Sequence, residues 1–470
     1  MQDFQRLLGR RIGGARRDHG DRSQDDISQP VQHHDIILQP AAGRAIVMKP
    51  AAVLWEDYRM VTRRDALLAG LAAAPVLQSQ SPGEPDLGVF FGLLNPNAAE
   101  AKAAQKSLEA GWRDSYAILL LEMLRLVVRE PARTRLLETL AQRTRQKFGP
   151  DLKAWTRWAW SLEYAPHSHY AEFKGMLYAN IDGRLKDFFP PGVKSLVRLD
   201  EVEWGGVPVN GIPPLVQPVT IAAREAAYLK DSHIVFGVER NGEAKAYPKR
   251  ILAWHEMALD RVGGVDLTIV YCTLCGTVIP YRSVVNGRKI TFGTSGLLYQ
   301  SSKLMFDEET HSLWSTLQGK PMIGVLAGSD LELEFVPVVT TAWGEWRQSF
   351  PRSLVLSPET GHQRDYSEGA AYRDYFSHDD LMFEVSRRDR RLKNKDEVLV
   401  VRLKGKRPLA VSAKWLERRP VNELEHDGAK LTIRTERGAN RVFVDGKQIP
   451  AHRAFWFGWY AQYPDTVLIR

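Results

Sequence analysis

The sequence predicts an α+β protein: an N-terminal helical region followed by a duplicated, mostly β module. Three observations predict it. From Asn97 to about Phe189 the chain is rich in Ala, Leu, Glu and Lys, with apolar residues at helical spacing. Beyond Val193 it turns to Val, Ile, Thr and Tyr punctuated by Gly and Pro, the composition of short strands and turns. The last part of the chain then repeats an earlier part, which marks a duplicated unit.

Residues 1–59 mix charges of both signs with many Gln and Asp and no sustained apolar period, so they read as a disordered, non-native upstream extension. At Met60 the character changes. "MVTRRDALLAGLAAAPVLQSQSPGEPD" has paired Arg63 and Arg64, an apolar stretch from Ala66 to Leu77, then small and polar residues. Residues 60–82 therefore predict an export signal of the twin-arginine type, with Met60 as the start and a periplasmic or extracellular product, tethered at most by an uncleaved signal. About a dozen apolar residues are too few to span a bilayer, and no later segment reaches that length.

The helical region is expected over 95–190. "AAEAKAAQKSLEAGWRDSYAILLLEMLRLVV" and, after Pro131, "ARTRLLETLAQRTRQKFGPDLKAWTRWAWSLEY" both carry the helical period. The β module divides into a first repeat over 200–385 and a shorter second over 396–470. "IVFGVERNGEAKAYPKRIL" (234–252) is echoed by "VLVVRLKGKRPLAVSAKWL" (398–416), "GVDLTIVY" (264–271) by "GAKLTIRT" (428–435), and "TTAWGEWRQSFPRSLVLS" (340–357) by "RAFWFGWYAQYPDTVLIR" (453–470). Trp343, Trp346, Trp456 and Trp459 recur in both copies at helical spacing and read as core. Between the copies lies "RRDRRLKNK", Arg387 to Lys395, read as the linker. The net charge is +8, but this run has no interleaved aromatics and no binding motif accompanies it, so nucleic acid is not an expected partner.

The chain has two cysteines, Cys272 and Cys275, in "IVYCTLCGTVIPY". A C-x-x-C at the end of a strand turns sharply, so both sulfurs can face one metal ion or join in one disulfide. His255, before a "VGG" turn, is expected alongside through a hairpin, with Met305 from the next element as an auxiliary donor. Two thiolates, an imidazole and a thioether form a soft set that suits copper(I) best and zinc or iron less well. The same cysteines also fit an extracytoplasmic thiol–disulfide oxidoreductase with a redox partner protein, or a structural disulfide in an interaction protein. Under an ungapped alignment Cys272 faces Glu436, Cys275 faces Ala439 and His255 faces Arg419, so only the first copy holds the trio.

Weaker motifs are set aside on composition. "HEMAL" has Leu259 where a zinc-protease helix needs its second histidine, and "GTSGL" has Leu297 where a nucleophile elbow around Ser295 needs glycine. Glu256, Asp260 and Asp307 are either general acids and bases or loop anchors, and Glu256 or Asp260 is the expected orienter of His255. No nucleotide cofactor is expected.

These residues resemble a known family. "NGIPPL", "GEAKAYPKRILAWHEM", "VDLTIVYCTLCGTVIPY", "FGTSGLLYQSSKLMFDEETHSLWS" and "WGEWRQSFPRSLVLSPETG" are similar to the bacterial and archaeal domain of unknown function 3179, over about residues 205 to 470. The resemblance implies an exported protein, with a His-Glu pair, a YCPLCG box and an SGLLYxS segment at His255, Glu256, Cys272, Cys275, Gly276, Ser295, Tyr299, Met305 and Asp307. It implies no reaction. Thr273 stands where the family's box has Pro, and Leu259 where Asn precedes the aspartate.

Overall fold

A computed structural model describes residues 83–128 and 130–470, together with two three-residue strands, Ile36–Leu38 and Ile46–Met48, that pair antiparallel. These strands fall in the stretch read as disordered; the other readings placed on residues 1–82, the export signal included, lie outside the described residues.

The first half is helical: α1 (Leu87–Gly92), α2 (Ala98–Ala110), α3 (Ala117–Leu126), α4 (Ala132–Thr144), α5 (Leu152–Ser161) and α6 (Tyr170–Tyr178). Short polar residues cap three of them, α1, α2 and α5. Asn97 accepts from the amide of Ala99 at 2.9 Å and Asp151 from that of Ala154 at 3.0 Å, satisfying N–H groups that the helix leaves unpaired. α3 lies at the centre, with Leu119, Leu120, Met123 and Leu124 fully buried. Each such side chain contributes roughly 1.5–3 kcal/mol by leaving water.

One carboxylate shares that interior. Glu122 of α3 is completely buried and is held by Lys174, by the hydroxyls of Tyr170 (2.9 Å) and Tyr178 (2.8 Å), and by Arg125 at 3.2 Å. Arg125 in turn pairs with Glu203 at 2.7 Å. Glu203 sits on the strand Val202–Trp204 at the edge of a β sheet, so the charge network ties the helices to the β module.

The β module is a propeller-like arrangement of four- and five-stranded sheets in which the duplication is visible strand by strand. In the first copy, β1 (Ile234–Arg240) and β2 (Glu243–Pro248) form a hairpin followed by α7 (Lys249–His255). A second sheet holds β3 (Met257–Val262), β4 (Val265–Cys272) and β5 (Thr277–Arg282), and a third holds β6 (Phe292–Tyr299) and β7 (Ser302–Asp307). The chain then returns to the first sheet through β8 (Val339–Ala342), α8 (Trp343–Ser349) and β9 (Leu354–Leu356). After a segment containing α9 (Arg373–Ser377), the second copy repeats the scheme. β10 (Glu397–Val401), β11 (Leu409–Ser412) and α10 (Ala413–Leu416) are followed by β12 (Val421–His426), β13 (Ala429–Glu436) and β14 (Ala439–Val444), then β15 (Ala451–Phe455), α11 (Trp456–Gln462) and β16 (Val467–Ile469).

The sheet order β8-β1-β2-β9 is matched by β15-β10-β11-β16, with the last strand parallel to its neighbour in both. The tryptophans obey the same rule. Trp343, Trp346, Trp456 and Trp459 are all buried, and the Trp346 and Trp459 indoles donate to the equivalent hydroxyls of Ser353 (2.9 Å) and Thr466 (3.0 Å). The β6–β7 sheet interrupts the first copy only.

One detail of the ungapped comparison is corrected. Cys272 pairs with Thr277 across a four-residue turn, whereas Glu436 pairs with Ala439 across a two-residue turn. Ala439 therefore corresponds to Thr277, and Cys275 lies in an insertion with no counterpart. The basic run lies between the copies, and three of its charges are engaged: Arg388 with Glu384, the Arg391 guanidinium 5.2 Å from the Trp456 ring, and Lys395 with the carbonyls of Tyr375 and His378.

Candidate thiol site

β4 delivers Cys272 as its last residue, and the turn 273–276 closes through Gly276, whose φ of +59° suits glycine. Both cysteines are free thiols and almost wholly buried. Leu298, Tyr375, Leu381, Val385, Phe455 and Phe457 pack with them. The box has parts from three places: the first copy, the segment between the copies, and the second copy. The Tyr375 hydroxyl donates to the Leu274 carbonyl at 2.8 Å, and a Cβ added to Gly458 of α11 would stand 3.0 Å from the Cys275 sulfur.

Beside this apolar box lies a buried ion pair. Lys303 of β7 donates to the carbonyl of Glu256 at 2.7 Å and stands 3.5 Å from its carboxylate. The same carboxylate accepts from Thr273 inside the C-x-x-C at 2.9 Å and from Tyr372 at 3.3 Å. Thr273, the departure from the family's proline, thus supplies a hydroxyl that proline lacks.

The two thiols differ in acidity. Burial alone would raise Cys272, but hydrogen bonds from the Cys275 thiol and from the backbone amides of Lys303 and Cys275 outweigh it and hold it below the ordinary thiol range. Cys275 is pushed well above that range, by burial first and then by its hydrogen bond to Cys272 and the charge there. The two thiols are thus displaced in opposite directions, Cys272 down and Cys275 up.

Backbone strain gathers in the same place. Glu256 (φ 54°), Gln300 (51°), Ser301 (57°) and Tyr372 (59°) are all left-handed non-glycine residues, and the Ser301 carbonyl accepts from the Cys275 thiol at 3.6 Å. Such residues cost about 1–3 kcal/mol each and cluster where function holds them.

The other expected donors are elsewhere. His255 is fully buried, but one ring nitrogen faces the Pro213 carbonyl at 2.9 Å and the other the Tyr366 hydroxyl at 2.5 Å, with the His362 ring alongside. Burial first, then the charges of His362 and Arg364, push it down to about 4, so the ring is neutral. Neither Glu256 nor Asp260 orients it. Asp260 binds Lys245 at 3.0 Å and Tyr247 at 2.7 Å. Met305 packs with Met257, Val270 and Trp314 in a different apolar cluster from the cysteines. Among the described residues, no group of three or more His, Cys, Asp or Glu is placed to hold a metal ion.

The remaining candidates have structural partners. Asp307 anchors its loop through Thr310 (2.6 and 2.8 Å) and the Trp314 indole (2.9 Å). Ser295 donates to the Leu304 carbonyl at 2.7 Å and accepts from the Leu297 amide, bridging an irregularity in β6. Tyr299 is buried against the helical core, and burial, with Glu201 nearby, pushes it up to about 12.

Sequence reading missed Lys303, Tyr372, Tyr375 and Phe455. Lys303 carried a usable signal, a lone charge in "SSKLMF", a strand buried along its whole length. The aromatics come from distant segments that only the fold brings near.

No helix among the described residues is long and apolar enough to cross a membrane. No curated protein and no solved structure matches the chain. The family model described as "Protein of unknown function (DUF3179)" matches residues 209–449, more than half of the chain and the span that contains Glu256, Cys272, Cys275 and Lys303. The chain belongs to the DUF3179 family.

Proposed function

We propose that the protein is a thiol–disulfide oxidoreductase whose nucleophile is Cys272 and whose resolving thiol is Cys275. The observation that carries the reading is the pair of free thiols in one turn, with the Glu256–Lys303 ion pair bonded to that turn through Thr273; the acidities of the two thiols, displaced in opposite directions, accord with it. In the reaction, the Cys272 thiolate attacks one sulfur of a substrate disulfide. A mixed disulfide forms and the other substrate sulfur leaves as a thiolate. Cys275 then loses its proton to that leaving group and attacks Cys272, forming the Cys272–Cys275 disulfide and releasing the second substrate thiol. Two electrons pass from the protein to the substrate, and an external dithiol returns them. An oxidising compartment, as the export signal expected over residues 60–82 would require, is the natural setting.

Both sulfurs are buried, so access demands that part of the apolar packing around them open, from Leu298, from the segment bearing Tyr375, Leu381 and Val385, or from Phe455 and Phe457. The test is to incubate the reduced chain with a model disulfide and identify adducts by mass spectrometry. A mixed disulfide that accumulates on Cys272 in the Cys275→Ser variant supports the reading. Cysteines that stay unreactive until the chain unfolds would refute it.

A soft-metal function is a second reading, favoured by the two free sulfurs of one turn, a donor set that suits copper(I). In this form it uses Cys272 and Cys275 alone. Copper bound under anaerobic conditions and lost equally in Cys272→Ser and His255→Gln would restore the histidine to the site; loss in the cysteine variant only would support the two-sulfur form.

A further inference from the structure

We infer a second site, apart from the cysteines: a cavity between the helical region and the β module that takes a small organic anion with an apolar body. The cavity has a volume of about 520 Å³, within the range of small-molecule sites. It is lined from α3 and α5, by Trp204, and by Met382 and Phe383.

The charges at its edge decide the ligand's sign. Each lining carboxylate is already engaged: Glu203 with Arg125, Glu384 with Arg157 and Arg388, and Asp151 with the first turn of α5. Two lining cations make no direct ion pair among the described residues, and the Glu130 carboxylate feels the Arg133 charge from a distance. Arg133 donates from one nitrogen to the carbonyls of Leu124 (3.0 Å) and Val127 (3.1 Å), and Lys153 donates to that of Leu381 at 2.9 Å. An ammonium and a guanidinium with donors to spare, lining a cavity that Met382 and Phe383 also line, favour a carboxylate or sulfonate with an apolar body. The segment that supplies Met382 and Phe383 also packs with the thiols, through Leu381, whose carbonyl accepts from Lys153.

The experiment is calorimetric titration of the full chain with phenylacetate, octanoate and octylamine. Both carboxylates are expected to bind at one site per chain, with affinity that falls as salt is raised, while octylamine gives no saturable heat. Lys153→Met and Arg133→Met are expected to weaken the carboxylates by about tenfold, and Lys320→Met, which removes a surface partner of Glu332, to change nothing. Arg133 also closes the end of α3, so Lys153→Met is the primary variant, with its fold checked by circular dichroism; the salt series needs no variant. No saturable carboxylate binding up to about 10 mM, equal binding of the amine, or affinity indifferent to both salt and Lys153 would overturn the inference.

Discussion

The backbone N–H of Phe455 in the second copy donates to the carbonyl of Cys275 in the first at 2.7 Å. The copy without cysteines therefore clamps the turn that carries one of them. Gly276 is the contact point: a Cβ there would lie 2.8 Å from the Phe455 ring, at a φ of +59°. Gly276→Ala is expected to destabilise the protein by about 1–3 kcal/mol, read from urea denaturation. It should also speed alkylation of Cys275 in the folded state by loosening the clamp.

Removing the donor thiol tests the asymmetry of the cysteine pair. In Cys275→Ala, Cys272 loses the strongest of the hydrogen bonds that favour its thiolate, and its pKa should rise. In Cys272→Ala, Cys275 loses the neighbouring negative charge, and its pKa should fall. Thiolate absorbance followed against pH reads both, and shifts of the same sign in the two variants would contradict the assignment.

Glu122 makes a prediction about the helical region. Glu122→Ala leaves Lys174 buried without its carboxylate, and unpairing a buried ion is expected to destabilise by roughly 3–5 kcal/mol. Paired replacement of Glu122 and Lys174 by apolar residues of similar volume should recover much of this. Thermal unfolding of the single and double variants decides it.

His255 sets a pH dependence. Its ring is held neutral in the fold, down to about 4 against an ordinary value of 6.5. Between those values the unfolded chain binds a proton that the folded chain refuses, so stability contributed by the neutral ring is present above 6.5 and is lost as pH falls toward 4. The full effect is on the order of 3 kcal/mol. His255→Gln should flatten the stability profile in that window, measured by denaturant midpoints across the pH series.

The duplication was legible because its signals are local and repeated: strand composition, paired tryptophans and turn glycines recur at matching intervals. The cysteine pair was legible for the same reason, as four adjacent positions. His255 misled. Its closeness in sequence to Glu256 suggested a shared site, yet Glu256 takes a left-handed conformation directly after α7, and while its carboxylate meets Thr273 beside the cysteines, the His255 ring faces Pro213 and Tyr366. Spacing along a chain does not report such a divergence. Met305 misled for a related reason: it shares the face of β7 that carries Lys303, but two residues further along the strand it packs with Met257, Val270 and Trp314 instead of reaching the cysteines. The four-residue turn was hidden because an alignment without gaps cannot show a loop that is longer in one copy.

The second copy joins the equivalent strands with only Arg437 and Gly438, and its hairpin is complete. On the proposed function, a chain shortened in the first copy to that two-residue connection should keep the β4–β5 pairing and lose disulfide exchange, with the loss of the Phe455 and Tyr375 bonds to the turn as its cost in stability.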